Sequence, residues 1–272
     1  MPNSERSILH PFLQKIKKAA HMNVKELSIS LIAREADFIV IDKPAGLPSA
    51  PLAENEDTAF SQIVRLAPEV ALVCGKKKTE GGLVHRLDTA TRGLLLAACT
   101  QNAFDDFVRQ QEQGRFIKYY CAYCDCRKPD ILSRIVPPLS IESRFRAYGE
   151  GGKKVKPVFA DSGRADLKKA GSKIYRTEIV SVREVKTEDG MPAVQVICKI
   201  ASGFRHQVRS HLASYGLPVI GDFLYNENNN ESNTENSELC AQLRFTACAL
   251  EFDHPANGRR LRFVLGGFTL PD

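Results

Sequence analysis

The stretch Gly81-Gly82-Leu83-Val84-His85-Arg86-Leu87-Asp88-Thr89-Ala90-Thr91-Arg92-Gly93 runs without a break into Leu94-Leu95-Leu96-Ala97-Ala98-Cys99. The second half is too apolar for the surface. It is also too short for anything but a buried strand or a short core helix. Whatever the fold, a polar loop carrying one carboxylate, Asp88, among His85, Arg86 and Arg92 must be tethered directly to the core. Loops fixed to rigid elements are where catalytic groups concentrate. A salt-bridged surface loop would account for the local composition equally well.

At 272 residues the chain is long enough for one large domain or two modest ones, with a sizeable core. Its 43% hydrophobic and 26% charged content is that of a soluble globular protein. No run approaches the roughly 18–20 apolar residues of a membrane span. The N-terminus has no apolar signal-like core. A cytoplasmic protein without a membrane partner is expected, with its eight cysteines reduced. The net charge of +6 is modest. Its clustering says more: Lys15/Lys17/Lys18, Lys76-Lys77-Lys78, Lys153-Lys154 with Lys156, and Arg259-Arg260 with Arg262. Several such clusters suit a polyanionic partner.

Residues 1–28 read as an N-terminal arm, with Ile8-Leu9 and Phe12-Leu13-Ile16 at helical spacing. Strands are predicted at 29–33 and 38–41, followed by a loop fixed by Lys43-Pro44-Ala45-Gly46-Leu47-Pro48. A helix is predicted from Thr58 to Pro68 and another over 101–113. The aromatic segment 116–124 is strand-like. Residues 127–172 read as loop-rich and basic, because Pro137-Pro138 and Gly149 to Gly152 argue against long regular elements. Strands follow at 174–182, 193–200 and 243–252, with a short helix from about 205 to Gly216 between the last two. Residues 226–238 are polar, acidic and of low complexity, and are expected to form a flexible surface loop. Strands outnumber helices and come in runs. The predicted class is therefore α+β, a mixed and largely antiparallel sheet with flanking helices around a central cleft.

Lys118-Tyr119-Tyr120 places its two tyrosines on opposite faces of a strand. One faces the core, and the other is either a packing aromatic or a ring free to stack on a base. Cys121-x-x-Cys124-x-Cys126 lacks the second ligand pair of a structural zinc site, so no metal is expected. Gly203-Phe204-Arg205-His206-Gln207-Val208-Arg209-Ser210-His211 gathers arginines and histidines at a helix start. Arg205 and Arg209 share a face if the helix already includes 205. There is no Gly-x-Ser-x-Gly and no glycine-rich phosphate loop.

Taken in order, several words resemble the pseudouridine synthases of the RluA type. They are Lys43-Pro44-Ala45-Gly46, then Val84-His85-Arg86-Leu87-Asp88-x-x-Thr91-x-Gly93, then Lys118-x-Tyr120-x-Ala122. After them come His206-Gln207-x-Arg209-x-His211-Leu212, then Gly216-x-Pro218-x-x-Gly221-Asp222-x-x-Tyr225, and His254-Pro255. They run from about residue 30 to the C-terminus, which makes 29–272 the catalytic domain. The resemblance implies the pseudouridine synthase fold and isomerisation of a uridine in ribosomal or transfer RNA, with no cofactor. It implies Asp88 as the catalytic carboxylate, Arg209 as its ion partner and Tyr120 as the ring stacked on the uracil. Arg86 would fill the gap left by the flipped base. His85, Leu87, Arg92, Arg205, His206 and Gln207 complete the expected substrate-binding set. A monomer is expected, without the small N-terminal RNA-binding domain that some relatives carry.

Two positions depart from the family pattern. Arg92 stands where a small Ser or Thr is usual, and Phe204 where Arg is usual. They keep open a non-catalytic RNA-binding protein on the same scaffold. A glycosidase-like enzyme fits less well, since most such enzymes need two carboxylates flanking the bond.

Overall fold

The computed structural model describes residues 27–51, 56–125, 129–188, 190–226 and 242–271. The expected arm up to residue 26, the acidic segment from 227, and Cys126 lie outside the described residues.

The strands are β1 (Ser30–Arg34), β2 (Phe38–Lys43), β3 (Arg92–Ala98), β4 (Ile117–Cys124) and β5 (Leu139–Tyr148). They continue with β6 (Lys154–Val158), β7 (Tyr175–Lys186), β8 (Pro192–Ile200), β9 (Phe245–Asp253) and β10 (Arg260–Val264). The helices are α1 (Ala59–Leu66), α2 (Gln101–Glu112), α3 (Pro129–Leu132), α4 (Arg164–Lys169) and α5 (Gln207–Ser214). The strands form one ten-stranded sheet in the order β1-β2-β3-β9-β4-β8-β7-β5-β6, with β10 also on β9. The β3–β9 pair is parallel and the other pairings are antiparallel. This is the α+β class expected.

Both faces of the sheet centre are covered, which explains why its strands are apolar throughout rather than alternating. On β2, Ile39 and Ile41 enter one core with Ile63 of α1 and Val208 and Leu212 of α5. Phe38 and Val40 enter the other, with Phe104 and Phe107 of α2. Leu94 to Ala98 of β3 divide in the same way, so the run that followed the Asp88 loop is a strand buried on both sides. The caps are local and follow the sequence. Thr58 and Ser61 form a capping box at α1, and Thr100 caps α2.

Gly93 opens β3 at φ 134° opposite Ala247 of β9. A Cβ there would lie 2.3 Å from the Ala247 carbonyl oxygen, which is backbone and cannot rotate away. Gly93→Ala is expected to cost about 2–4 kcal/mol, read as a lowered denaturation midpoint.

Two expectations need correction. Residues 127–172 contain the ten-residue strand β5 and its partner β6. The prolines sit just before β5 and the glycines form the turn of the β5–β6 hairpin, so both punctuate a regular unit rather than exclude one. The second concerns the helix after Gly203. It begins at Gln207, preceded by His206 in a left-handed conformation (φ 55°). Arg205 therefore lies before the helix and does not share a face with Arg209.

Candidate active site

A cleft of about 860 Å³ opens where the loop before β3, the face of β4 and the start of α5 meet. The loop is fixed from beneath. Ser49 accepts from the Leu87 N–H and donates to the Leu87 carbonyl, at 2.9 and 2.7 Å. Lys43 is fully buried, and its ammonium donates to the carbonyls of Pro44, Leu47 and Thr89. The Gly46 N–H also donates to Thr89. Asp88 thus stands between two anchored neighbours, Leu87 and Thr89. Burial pushes the Lys43 ammonium down to about 8, against the attraction of Asp88 and Asp42.

Arg209 of α5 donates from Nη1 to Asp88 at 3.0 Å. The remainder of its guanidinium is clamped by Asp222, with Nε and Nη2 each 2.7 Å from a carboxylate oxygen. Asp222 has a fully buried side chain and also accepts the N–H groups of Leu224 and Tyr225. Burial opposes the Arg209 charge, but the bonds to Asp222 and the charges of Asp222 and Asp88 outweigh it and raise its pKa. A guanidinium whose Nε and Nη2 are both clamped by one carboxylate presents Nη1 to Asp88 in a fixed geometry.

Tyr120 lies 8% exposed on the cleft wall, its ring stacked on Phe245 at 5.1 Å and 2° between planes. Burial first, and then the charge of Asp88, push its phenol well up, so the hydroxyl keeps its proton. Tyr119 points to the opposite face and donates to Glu251. His206 brings Nε2 to 3.7 Å from Asp88, while its Nδ1 lies 3.0 Å from the Tyr225 hydroxyl. Burial outweighs the pull of Asp88 and lowers the pKa of His206.

The other expected residues divide. Arg86 lies half exposed at the cleft, its guanidinium 3.0 Å from Glu80. Leu87 is buried beneath the loop. Arg205 lines the rim and donates to the Gly152 carbonyl. Gln207 borders the cleft, but both ends of its amide are engaged, with Phe204 on one side and Arg176 and Thr177 on the other. His85 lies in the wall with Nε2 accepting from Leu96. Arg92 is not brought to the cleft. At the start of β3 its side chain turns to Asp42, 2.8 Å away across the β2–β3 pair. Phe204 stacks on Phe145 at 4.9 Å and touches Tyr175, so this departure from the family pattern is absorbed by packing. Cys121 and Cys124 fall in different apolar clusters. Among the described residues, no group of three or more His, Cys, Asp and Glu is placed to hold a metal ion. No described helix is long and apolar enough to cross a membrane.

Sequence reasoning assigned no role to Asp222, Lys43 or Ser49. The first two lay inside the family-like words, and a carboxylate two residues beyond the apolar stretch Leu217–Ile220 was the available signal for Asp222.

Behind the site, His211 is fully buried between the hydroxyls of Thr177 (2.9 Å) and Ser143 (2.8 Å). Burial pushes its pKa from 6.5 down to about 4. A histidine neutral in the fold and protonated when unfolded stabilises fully above pH 6.5, and that contribution is lost as pH falls toward 4. At 1.36 kcal/mol per pH unit this amounts to about 3 kcal/mol. In His211→Gln the fall of stability between pH 6.5 and 4, measured by urea unfolding, should be correspondingly shallower. An unchanged slope would refute the assignment.

Cations outnumber carboxylates around the cleft, and a flat aromatic wall stands beside an acid held against a guanidinium. With the mixed sheet, these features describe an α+β protein whose cleft suits a nucleic-acid partner. The family model for RNA pseudouridylate synthase matches residues 37–214, and the chain belongs to that family. It is 26% identical over 271 residues to a ribosomal large subunit pseudouridine synthase D of Pseudomonas aeruginosa, covering 95% of this chain and 76% of the relative. A tRNA pseudouridine(31) synthase of Saccharomyces cerevisiae is 23% identical over 196 residues, covering 72% of this chain and 46% of its own. The solved Human RNA Pseudouridylate Synthase Domain Containing 1 shares the fold, with a TM-score of 0.61 at 20% identity over 90% of this chain and 84% of that one.

Proposed function

We propose that this chain isomerises a uridine in structured ribosomal or transfer RNA to pseudouridine, acting as a cytoplasmic monomer with residues 29–272 as its catalytic domain. The carrying observation is Asp88, 3.0 Å from a guanidinium that a fully buried second carboxylate holds in place, beside the ring of Tyr120. In the reaction the bond from the sugar to the uracil nitrogen breaks and a bond from the same sugar carbon to carbon 5 forms. The proton at carbon 5 leaves and the freed nitrogen gains one, so atoms and electrons balance without an outside reagent.

Asp88 begins the exchange as nucleophile or as base, and Arg209 keeps it ionised and aimed. Tyr120 stacks on the detached uracil, and Phe245 behind it fixes the plane of the ring. Its neutral hydroxyl is available near carbon 5. Arg86, anchored by Glu80, fills the gap in the RNA stack when the uridine swings out. Neither departure favours the binding-only alternative, because Arg92 is spent on Asp42 and Phe204 on the aromatic cluster. The test is tritium release from RNA labelled at carbon 5 of uridine, taken from a strain lacking this gene. Release with wild-type protein is expected. No release from RNA shown to bind would overturn the reading.

A further inference from the structure

Lys118 precedes Tyr120 by two positions on β4, so both side chains face the cleft, about 7 Å apart along the strand. Lys118 is 6% exposed. Among the described residues its ammonium is paired with no carboxylate. It lies 5.9 Å from the centre of the Phe116 ring, and the charges it feels most are those of Lys76 and Lys173, both positive. Burial first, and these two cations next, push its pKa down to about 8. Elsewhere in this protein buried cations are answered: Lys43 by three carbonyls and Arg209 by two carboxylates. A buried charge without a partner is costly.

The wall beside Lys118 carries a second unanswered donor. His85 is held neutral by burial and by Lys118. Since the Leu96 N–H donates to Nε2, the ring proton must sit on Nδ1, and Nδ1 is buried with no acceptor. Lys118, His85 and Gly203 all line the cleft. Gly203 presents no side chain, and a Cβ there would stand 3.4 Å from the Lys118 ammonium.

We infer that the corner of the cleft formed by Lys118, His85 and Gly203 is a phosphate-binding subsite that takes a backbone phosphate next to the flipped uridine. The inference rests on the reading of the cleft as a uridine site. It makes Lys118 a positioning residue: the phosphate supplies the acceptor that both donors lack, and the two-residue spacing on β4 sets the distance from that phosphate to the base lying on Tyr120. A contact of this kind differs from the exposed lysines at the rim. It is enclosed, so salt screens it less.

The test compares binding of uridine, uridine 5′-monophosphate and uridine 3′-monophosphate to wild type and to Lys118→Met, followed by amide and imidazole NMR shifts. At least one nucleotide should bind wild type about tenfold or more tighter than uridine, the scale of a charge-assisted hydrogen bond. Lys118→Met should lose that preference while still binding uridine. Removing a buried charge should leave its melting temperature at or above that of wild type below pH 8, which separates loss of the subsite from loss of fold. On RNA the same variant should raise KM more than it lowers kcat. Equal binding of uridine and both nucleotides by wild type, no nucleotide binding, or an undiminished preference in Lys118→Met overturns the inference. Absence of tritium release by wild type would instead count against the isomerase reading, and a nucleotide preference could still stand beside it.

Discussion

Asp88→Asn should abolish pseudouridine formation, by about 10³-fold or more, while the fold and RNA binding persist. Asparagine matches the carboxylate in size but has neither its charge nor its basicity, so it neither attacks nor accepts a proton at neutral pH. The structure explains why the protein should tolerate the change. The Asp88 side chain is 31% exposed, and its loop is held by Ser49 and Lys43 through backbone groups that the substitution leaves alone. Arg209 keeps both bonds to Asp222, so no buried cation is stranded. Stability should change by no more than about 1 kcal/mol, as for a partly exposed ion pair. The measurement is tritium release beside a filter-binding assay on the same RNA. Turnover within tenfold of wild type would remove Asp88 from the chemistry.

Asp222→Ala should be the more damaging change to the molecule. It leaves the Arg209 guanidinium buried with one partner instead of two and strips the acceptor from the Leu224 and Tyr225 N–H groups. Breaking a buried pair from one side costs about 3–5 kcal/mol. That is a large part of the 5–15 kcal/mol typical of a folded domain. Asp222→Asn keeps an oxygen for the backbone and should cost less, yet its activity should still fall, because Arg209 then turns freely and no longer fixes the direction of Asp88. Chemical denaturation gives the first quantity, and kcat for tritium release by the folded Asp222→Asn protein gives the second. Full kcat in that variant would confine Asp222 to a structural role.

Much of this arrangement was readable from the chain alone, and the reasons differ by residue. The tethering of the Asp88 loop to the core was legible because the run Leu94–Cys99 that follows it has to be buried; the role of Asp88 itself came from resemblance. Strand alternation required the two adjacent tyrosines to face opposite sides, but it did not say which one faces the cleft; the choice of Tyr120 came from resemblance. The pairing of Arg209 with Asp88 was not legible from spacing, since 121 residues separate them. It too came from resemblance. Helix 101–113 and the strands around it carried their own caps and periodicity. The β5–β6 hairpin did not, because its prolines and glycines look the same whether they end a loop or bound a strand. Arg92 shows a related limit: adjacency in sequence to Asp88 says nothing about direction once a strand begins, and its side chain turns to Asp42. The bonds that tie Asp222 and Lys43 to the site run to Arg209 and Thr89 in other segments, and a pattern within one segment cannot reveal them.

The placement of β9 has a consequence for how the protein is born. β9 lies between β3, whose leading loop carries Asp88, and β4, which carries Tyr120. Those two strands are made early, yet they become neighbours only through a strand synthesised more than a hundred residues later. On a ribosome, the two halves of the cleft therefore emerge and wait. A nascent chain halted before Phe245 would contain Asp88, Tyr120 and Arg209 and still lack the strand that holds the first two at their working separation. Completion of the sheet and appearance of the site should thus be a single late event, and a chain released too soon should be inactive.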